Sequence, residues 1–441
     1  MAEIAPLSPL RYDEARLPHG LASVVAPPYD VISAEQRAEL VARDPHNVVR
    51  LILPDGQGDT KYAHAAELLA EWRAAGVLVR DNEPGFYRYD QSFLPPDGGK
   101  SITRRGFLAL VRLVPLSAGI VLPHERTLTG PKEDRLKLFR ATKTNLSPGF
   151  MLYHDARGEL DGPLASAQPI AEFSTPDGVH HALAKVTAKD ALAAIVEGIG
   201  RSTLLIADGH HRYETAVRYA EETSQAAPSA GPRAAHRYFM TFLANGDDPN
   251  LVVFPTHRLV HSLAAFSFDR LIEGAKAWFV EEALPTGAAA PVIVRALREA
   301  GKKGPSVAAA YSDGRAAVLT LRSDADLTAH PTLGKRPSVL RRTDVAVLHS
   351  AILEALLGIT PEAQAAKTNL QYPQDAAAAL SDVRAGKAQV LFLMNATPVT
   401  EVRRVAEAGE VMPQKSTFFY PKVLTGLAIH TLEPERNLEA P

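Results

Sequence analysis

The densest group of reactive side chains in the sequence is Asp208-Gly209-His210-His211-Arg212, directly after the apolar run Thr203-Leu204-Leu205-Ile206-Ala207. An apolar strand that ends in Asp-Gly and passes at once into helix-compatible residues presents backbone N–H groups at the helix start, which suits an anion. Arg212 adds a guanidinium whose fork matches phosphate oxygens. Asp208, His210 and His211 are groups that can move a proton, and Asp208 is also a candidate magnesium contact. Neighbouring residues on a helix point about 100° apart, so His210 and His211 do not read as chelators of one ion. A simple helix cap accounts for Asp208 and Gly209 but gives no reason for His-His-Arg. The turn reads as a phosphate cradle.

Two further stretches offer anion chemistry. His124, Glu125 and Arg126 lie before a Pro-bounded helix start that carries Lys132, Asp134 and Arg135. Glu133, Lys137 and Lys143 fit a solvated helix face instead. Lys415-Ser416-Thr417 combines an ammonium with two hydroxyls ahead of Phe418-Phe419-Tyr420, which read as core. No Gly-rich loop precedes Lys415, so a Walker-type site is not implied. His257 and His261 have the i, i+4 spacing of a zinc protease, but Arg258 stands where that pattern needs Glu. The zinc-protease reading fails.

Composition narrows the classes. The 441 residues exceed one ordinary core and predict two or three domains. A net charge of -2 gives no global field toward nucleic acid or anionic lipid. Apolar runs such as Val390–Met394 are too short to span a bilayer. Met1–Pro6 has neither a basic nor an apolar leader region, so the expected location is the cytoplasm. Cysteine is absent, which excludes disulfides, thiolate metal sites and a cysteine nucleophile.

The elements that must position these groups are mixed α/β. Ser33 and Gln36 form a capping box for a helix over Ala34–Arg43. Asn47–Leu53 reads as a strand and Lys61–Ala75 as a helix stopped by Gly76. Gly85–Phe93 and Ser101–Leu113 read as paired strands around Pro95-Pro96-Asp97-Gly98-Gly99. Pro131 suits a first helical position, with the helix running to about Ala141. Asn145–Pro148 breaks it before a strand over Gly149–Tyr153. The helix after the cradle should reach about Glu222, followed by a loop over Ser224–Ala235 and a strand over Arg237–Ala244. Beyond a boundary at Pro285–Pro291, Ser312-Asp313-Gly314 signals a hairpin. A buried helix over Val345–Leu357 follows, and the segments at Asp375–Arg384, Gln389–Met394 and Val399–Ala408 read helix, strand, helix.

Six of these stretches, in order, resemble the prokaryotic "domain of unknown function 1015" family. They are Ala26-Pro27-Pro28-Tyr29-Asp30-Val31-Ile32, His124–Thr127, Asp134-Arg135-Leu136, Asn145-Leu146-Ser147-Pro148, Ala207–Tyr213 and Met412–Thr417. The resemblance adds Tyr29, Asp30 and Asn145 to the candidate site residues. Asp208–Arg212 with Ala216 also resembles the phosphate-binding motif of the ParB/sulfiredoxin superfamily, which includes free-serine kinases. That likeness implies an α+β fold with a ParB/sulfiredoxin-like core at 161–284, an N-terminal α/β segment at 1–160 and a C-terminal one at 285–441. It also implies that Gly209, His210, His211 and Arg212 contact phosphate.

Sulfiredoxin chemistry needs a cysteine in this motif, and partition proteins carry a basic DNA-binding face; the chain has neither. What the resemblance leaves is phosphotransfer between ADP/ATP, with magnesium, and a small phosphorylated metabolite of the phosphoserine/serine kind. The expected partners are that metabolite and the nucleotide, with no nucleic acid and no membrane. A phosphatase acting without nucleotide and a nucleotide-binding regulator without catalysis remain the alternatives.

Overall fold

A long antiparallel hairpin is the spine of the fold, and its sequence explains it. Side chains alternate over β2 (Phe86–Phe93), which buries Tyr87, Tyr89, Gln91 and Phe93 on one face, and β3 (Ile102–Arg112) is buried on both faces from Gly106 to Val111. Other strands extend the hairpin on both sides: β1 (Ile4–Ala5), β4 (Val121–Leu122), β5 (Gly149–Tyr153), β6 (Gln168–Ser174), β7 (His180–Val186), β8 (Leu204–Asp208) and β9 (Tyr238–Asn245). The computed structural model describes residues 1–95, 99–127 and 129–439, so the expected turn at Pro96-Asp97-Gly98 lies outside the described residues. Among them, nine strands form one sheet in the order β4-β8-β5-β9-β3-β2-β7-β6, with β1 also on β3. The β4–β8 and β5–β9 pairs are parallel and the other pairs antiparallel, so the sheet is mixed.

One face of this sheet packs on helices. Phe107, Ala109, Met151, Ile206, Phe239 and Leu243 share a core with Leu136 and Phe139 of α3 (Thr129–Thr142). Leu192, Ile195 and Ile199 of α4 (Lys189–Gly200) and Tyr213, Ala216 and Tyr219 of α5 (His210–Ala226) complete it. Before them come α1 (Ala34–Arg43), whose Ser33/Gln36 capping box forms as expected, and α2 (Thr60–Ala74), which ends before Gly76 at φ +71°. Gly149–Tyr153 forms the expected strand, and the hairpin at Gly314 has Ser306–Tyr311 paired with Ala316–Leu321.

Some expectations are corrected. Asn47–Leu53 contains a helical turn at Val49–Ile52, not a strand. The Asn47 side chain accepts from Val49 N at 2.9 Å and donates to the carbonyls of Ser23 and Val25, which nucleates a turn whose apolar residues are buried on every side. The α3 helix begins at Thr129, so Pro131 is its third residue and not its first. The helix after the cradle continues to Ala226, into the segment expected as loop. The buried helix near residue 350 includes a π-helical stretch, Val347–Glu354.

The chain divides into two units that cut across the three consecutive segments expected. One comprises Met1–Pro123, Thr127–Val252 and Pro421–Pro441; the other comprises His124–Arg126 and Val253–Tyr420. The second unit has its own sheet of β10 (Arg258–Val260), β11 (Phe279–Ala283), β12 (Ser306–Tyr311), β13 (Ala316–Leu321), β14 (Leu370–Gln371) and β15 (Val390–Met394), in the order β11-β13-β12-β15-β10-β14. Its core sets Ala308, Val318, Leu391 and Leu393 against α6 (Ala290–Gly301) and α7 (Ala376–Arg384). Its last helix is α8 (Val399–Glu407). Among the described residues no helix is long and apolar enough to cross a membrane.

Both units bury imidazoles. Burial lowers His181, His236 and His257 to about 4, and His349 and His430 to about 3. A ring whose folded pKa lies below its ordinary 6.5 binds fewer protons in the fold than in the unfolded chain. The stability it contributes is therefore complete above about pH 6.5 and is lost as pH falls through the folded values. We expect the urea midpoint to be level above that pH and to drop steadily toward pH 4. A midpoint that stays flat over this interval would contradict the burial of neutral rings.

Candidate active site

The cradle is built by one irregularity in the ladder. Along β8, Leu205 pairs with Leu152 and Ile206 with Met151, but Asp208 pairs with Phe150, so Ala207 is an extra residue. Residues paired across a ladder point to the same side of the sheet. Ile206 and Met151 face the helices, so without the bulge the period of two would send Asp208 into that apolar core. The bulge turns it to the face of Phe150. Gly209 then makes the corner at φ +93° and is the N-cap of α5, with no side chain to accept the first helical amides. A Cβ there would stand 3.0 Å from the Arg212 guanidinium.

Asp208 is held by two cations. Arg212 Nη2 donates to its Oδ2 at 2.8 Å, and Lys422 Nζ is 3.5 Å from its Oδ1. Arg212 is buried, 5% exposed, and also donates to the Pro148 carbonyl. Its position is thus that of a brace for Asp208, with the guanidinium already spent on two acceptors. His210 is buried and His211 half-buried on the first turn of α5.

The motif around Pro148 is tied in by its neighbours. Asn145 is 1% exposed; its amide donates to the Ser147 carbonyl and accepts from Met240 N, both at 2.7 Å. This spends Asn145 on shaping the turn that presents the Pro148 carbonyl. Thr425 Oγ1 donates to Ser147 Oγ, while its backbone exchanges hydrogen bonds with Ala26. The segment carrying Lys422 is thereby laced to both the Ala26–Ile32 loop and the Asn145–Pro148 turn.

From that loop, Tyr29 lies under the Arg135 guanidinium, 4.2 Å from ring centroid to cation. Burial raises the Tyr29 phenol, Asp30 adds to the rise, and the Arg135 and Arg212 charges oppose it. Arg135 donates to Asp134 Oδ2 at 2.9 Å and to the Ile52 carbonyl at 2.8 Å. Burial pushes the Asp134 carboxyl up, but Arg135, Lys61 and Tyr62 together hold it well below the carboxylate range. Lys132 pairs with Glu214 of α5 at 3.0 Å. Asp30, Tyr29, Lys132, Asp134, Arg135 and Asn145 thus all belong to the unit that holds Asp208–Arg212.

His124, Glu125, Lys415, Ser416 and Thr417 belong to the other unit and meet one another there. His124 Nε2 is 2.8 Å from Thr417 Oγ1, and Glu125 Oε1 accepts from Ser416 N at 2.9 Å. Lys415 adopts φ +59°, and its carbonyl accepts from the fully buried Arg258. His257 accepts the Met394 amide hydrogen in the sheet, a structural role.

The sequence reading missed three residues of the first cluster. Lys422 lies just past the aromatic strand and gave no motif of its own. Gln91 and Arg104 are cross-strand partners on β2 and β3, joined side chain to side chain. Gln91 Nε2 also donates to the Lys422 carbonyl at 3.0 Å. The usable signal was parity: Arg104 shares a sheet face with Leu108 and Leu110, where alternation demands an apolar residue.

The family model described as "Protein of unknown function (DUF1015)" matches residues 4–346. The chain belongs to this family. No curated protein matches it. Among solved structures, this DUF1015 chain is similar to a conserved hypothetical protein from Pyrococcus furiosus, at 15% identity and TM-score 0.35 over 72% of this chain and 93% of that one. It is similar to a free serine kinase in complex with AMP, at 13% identity and TM-score 0.37 over 72% and 90%. C-terminally truncated SbnI from Staphylococcus aureus gives 10% identity and TM-score 0.34 over 73% and 86%.

The geometry makes Gly209 the most sensitive backbone position of the turn. Gly209→Ala should destabilise the protein by about 1–2 kcal/mol, the penalty of a left-handed conformation for a residue with Cβ. Gly209→Asn, which tolerates that region better, should do less harm. Equal stability of Gly209→Ala and wild type in urea titrations would refute this account of the corner.

Proposed function

We propose that this protein transfers a phosphoryl group between a nucleotide and a small hydroxylated metabolite, with serine and phosphoserine as the first pair to test. The observation that carries the reading is the charge imbalance at the cradle. One carboxylate, Asp208, is faced by Arg212 and Lys422 at a helix N-terminus that is itself electropositive. An excess of positive charge around a positioned carboxylate suits a phosphate that must be held while a proton moves. The kinship of this turn with the ParB/sulfiredoxin superfamily is part of the same proposal.

Each residue has a part in it. The first turn of α5 and Lys422 hold and neutralise phosphate oxygens, the main work of phosphoryl-transfer catalysis. Arg212 fixes the Asp208 carboxylate from within. Asp208 takes the proton of the attacking hydroxyl, and His210 or His211 donates to a phosphate oxygen or leaving group. Among the described residues no group of three His, Asp or Glu side chains could hold a metal ion alone. That donor set still fits magnesium, which commonly binds through one carboxylate and the substrate's own phosphates. With the ion bound, Asp208 would be its carboxylate in place of acting as the base, and the ion would add charge neutralisation.

The deciding experiment incubates the protein with phosphoserine and magnesium, with and without ADP, and resolves serine, ATP and inorganic phosphate. We expect serine and ATP that depend on ADP. Phosphate release without ADP would make the protein a phosphatase, and nucleotide binding with no product would make it a regulator. Asp208→Asn and His211→Ala should each lower turnover at least about a hundredfold, the scale of one acid–base group. Folded variants with undiminished turnover would remove these residues from the mechanism.

A further inference from the structure

Arg104 is buried more completely than its chemistry allows without a partner. It is 1% exposed, and its guanidinium lies over the rings of Phe150 and Phe242, 4.8 and 5.3 Å from their centroids. Nη2 donates to Gln91, while Nε and Nη1 have no hydrogen-bond partner among the described residues. No carboxylate among the described residues pairs with it. Burial pulls the guanidinium down to about 10, and the Tyr89 and Asp208 charges oppose the fall through their fields. A buried cation with orphaned donors is among the most expensive things a fold can carry.

Its place explains what would relieve it. Phe150 is the ladder partner of Asp208, so Arg104 stands over the ring next to the cradle, on the face toward which the bulge turns Asp208. Gln91 links Arg104 to the backbone of Lys422, whose ammonium is 3.5 Å from Asp208 Oδ1. Asp208 and Lys422 retain 22% and 15% side-chain exposure, so the cluster opens to solvent at Asp208 and closes at Arg104. Arg212 and Lys422 beside Asp208, with Arg104 within reach of its field, make surroundings that suit an anion reaching inward. Phe150 and Phe242, themselves neighbours with centroids 5.2 Å apart, both touch the guanidinium, and exclusion of water there strengthens its pull.

We propose that the anion site continues inward from Asp208 to Arg104, which binds an oxyanion group of the small-molecule ligand through Nε and Nη1. The class of ligand is a metabolite carrying a carboxylate or phosphate group that enters the protein ahead of the rest of the molecule. The proposal rests on the cradle being an anion site, but not on the reaction assigned to it.

The test uses the full chain with inorganic phosphate and, separately, acetate as probes, measured by calorimetry and by the shift in melting temperature. Wild type should bind at least one of them, and which one it prefers tells phosphate from carboxylate. Arg104→Met should weaken that binding at least about tenfold, the scale of losing a charge-assisted hydrogen bond. It should also melt no lower than wild type without anion, because an uncompensated buried charge is gone. Asp208→Asn should bind the probe at least as tightly as wild type, since a repelling carboxylate is removed. Equal binding by Arg104→Met and wild type overturns the proposal, as does a wild type that responds to neither probe. Should Arg104→Met not fold, a structure of wild type soaked in phosphate decides: an anion away from Nε and Nη1 refutes it. Oxyanion binding lost in Arg104→Met, alongside absent phosphotransfer, would leave this subsite standing and remove the reaction.

Discussion

One extra residue, Ala207, sets the face of the sheet toward which Asp208 turns. Strand β8 is apolar and regular, and its neighbours pull its side chains into the helix-packed core. An aspartate carried there by simple alternation would be an uncompensated charge among Leu, Ile and Phe. The bulge moves it to the other face, where Arg212, Lys422 and the field of Arg104 await it. The glycine that follows is bound to this solution, because the chain must turn within one residue into α5 and place Arg212 back against Asp208.

Hydrogen bonds from distant segments then hold the turn. Pro148, Ser147, Asn145, Ala26 and Thr425 come from three parts of the chain, yet each is hydrogen-bonded to another or to the cradle. Conserving the geometry of Asp208 therefore depends on backbone carbonyls and hydroxyls that carry no reactive chemistry. Asn145 shows how a polar residue in a motif can shape a loop through its own side-chain hydrogen bonds.

What could be read from the sequence is what local physics decides. The capping box at Ser33 and Gln36, the strand over Gly149–Tyr153 and the Asp-Gly corner before α5 all follow from neighbouring residues, and they formed as read. Val49–Ile52 did not, because a short stretch with Val49, Leu51 and Ile52 all buried has no periodicity to separate helix from strand. Arg104 and Lys422 escaped for another reason. Their significance lies in what they approach across the sheet, and only tertiary structure puts an arginine of β3 over a ring of β5. The division into units was equally hidden, since His124–Arg126 joins Val253–Tyr420 across more than a hundred residues of sequence. Its Glu125–Ser416 and His124–Thr417 contacts show that two of the six motifs belong together, which no spacing rule would reveal.

The return of Pro421–Pro441 to the first unit has a bearing on how the protein is made. Synthesis runs from the N-terminus, and domains that are continuous in sequence can fold as they emerge from the ribosome. Here the nine-stranded sheet has all its strands by residue 245, but Lys422 and Thr425 are translated only after the whole of Val253–Tyr420. A nascent chain thus carries Asp208 and Arg212 in a cluster that still lacks its lysine and the lacing of its loops. The hydrogen-bonded cluster around Asp208 is completed only when Lys422 and Thr425 arrive.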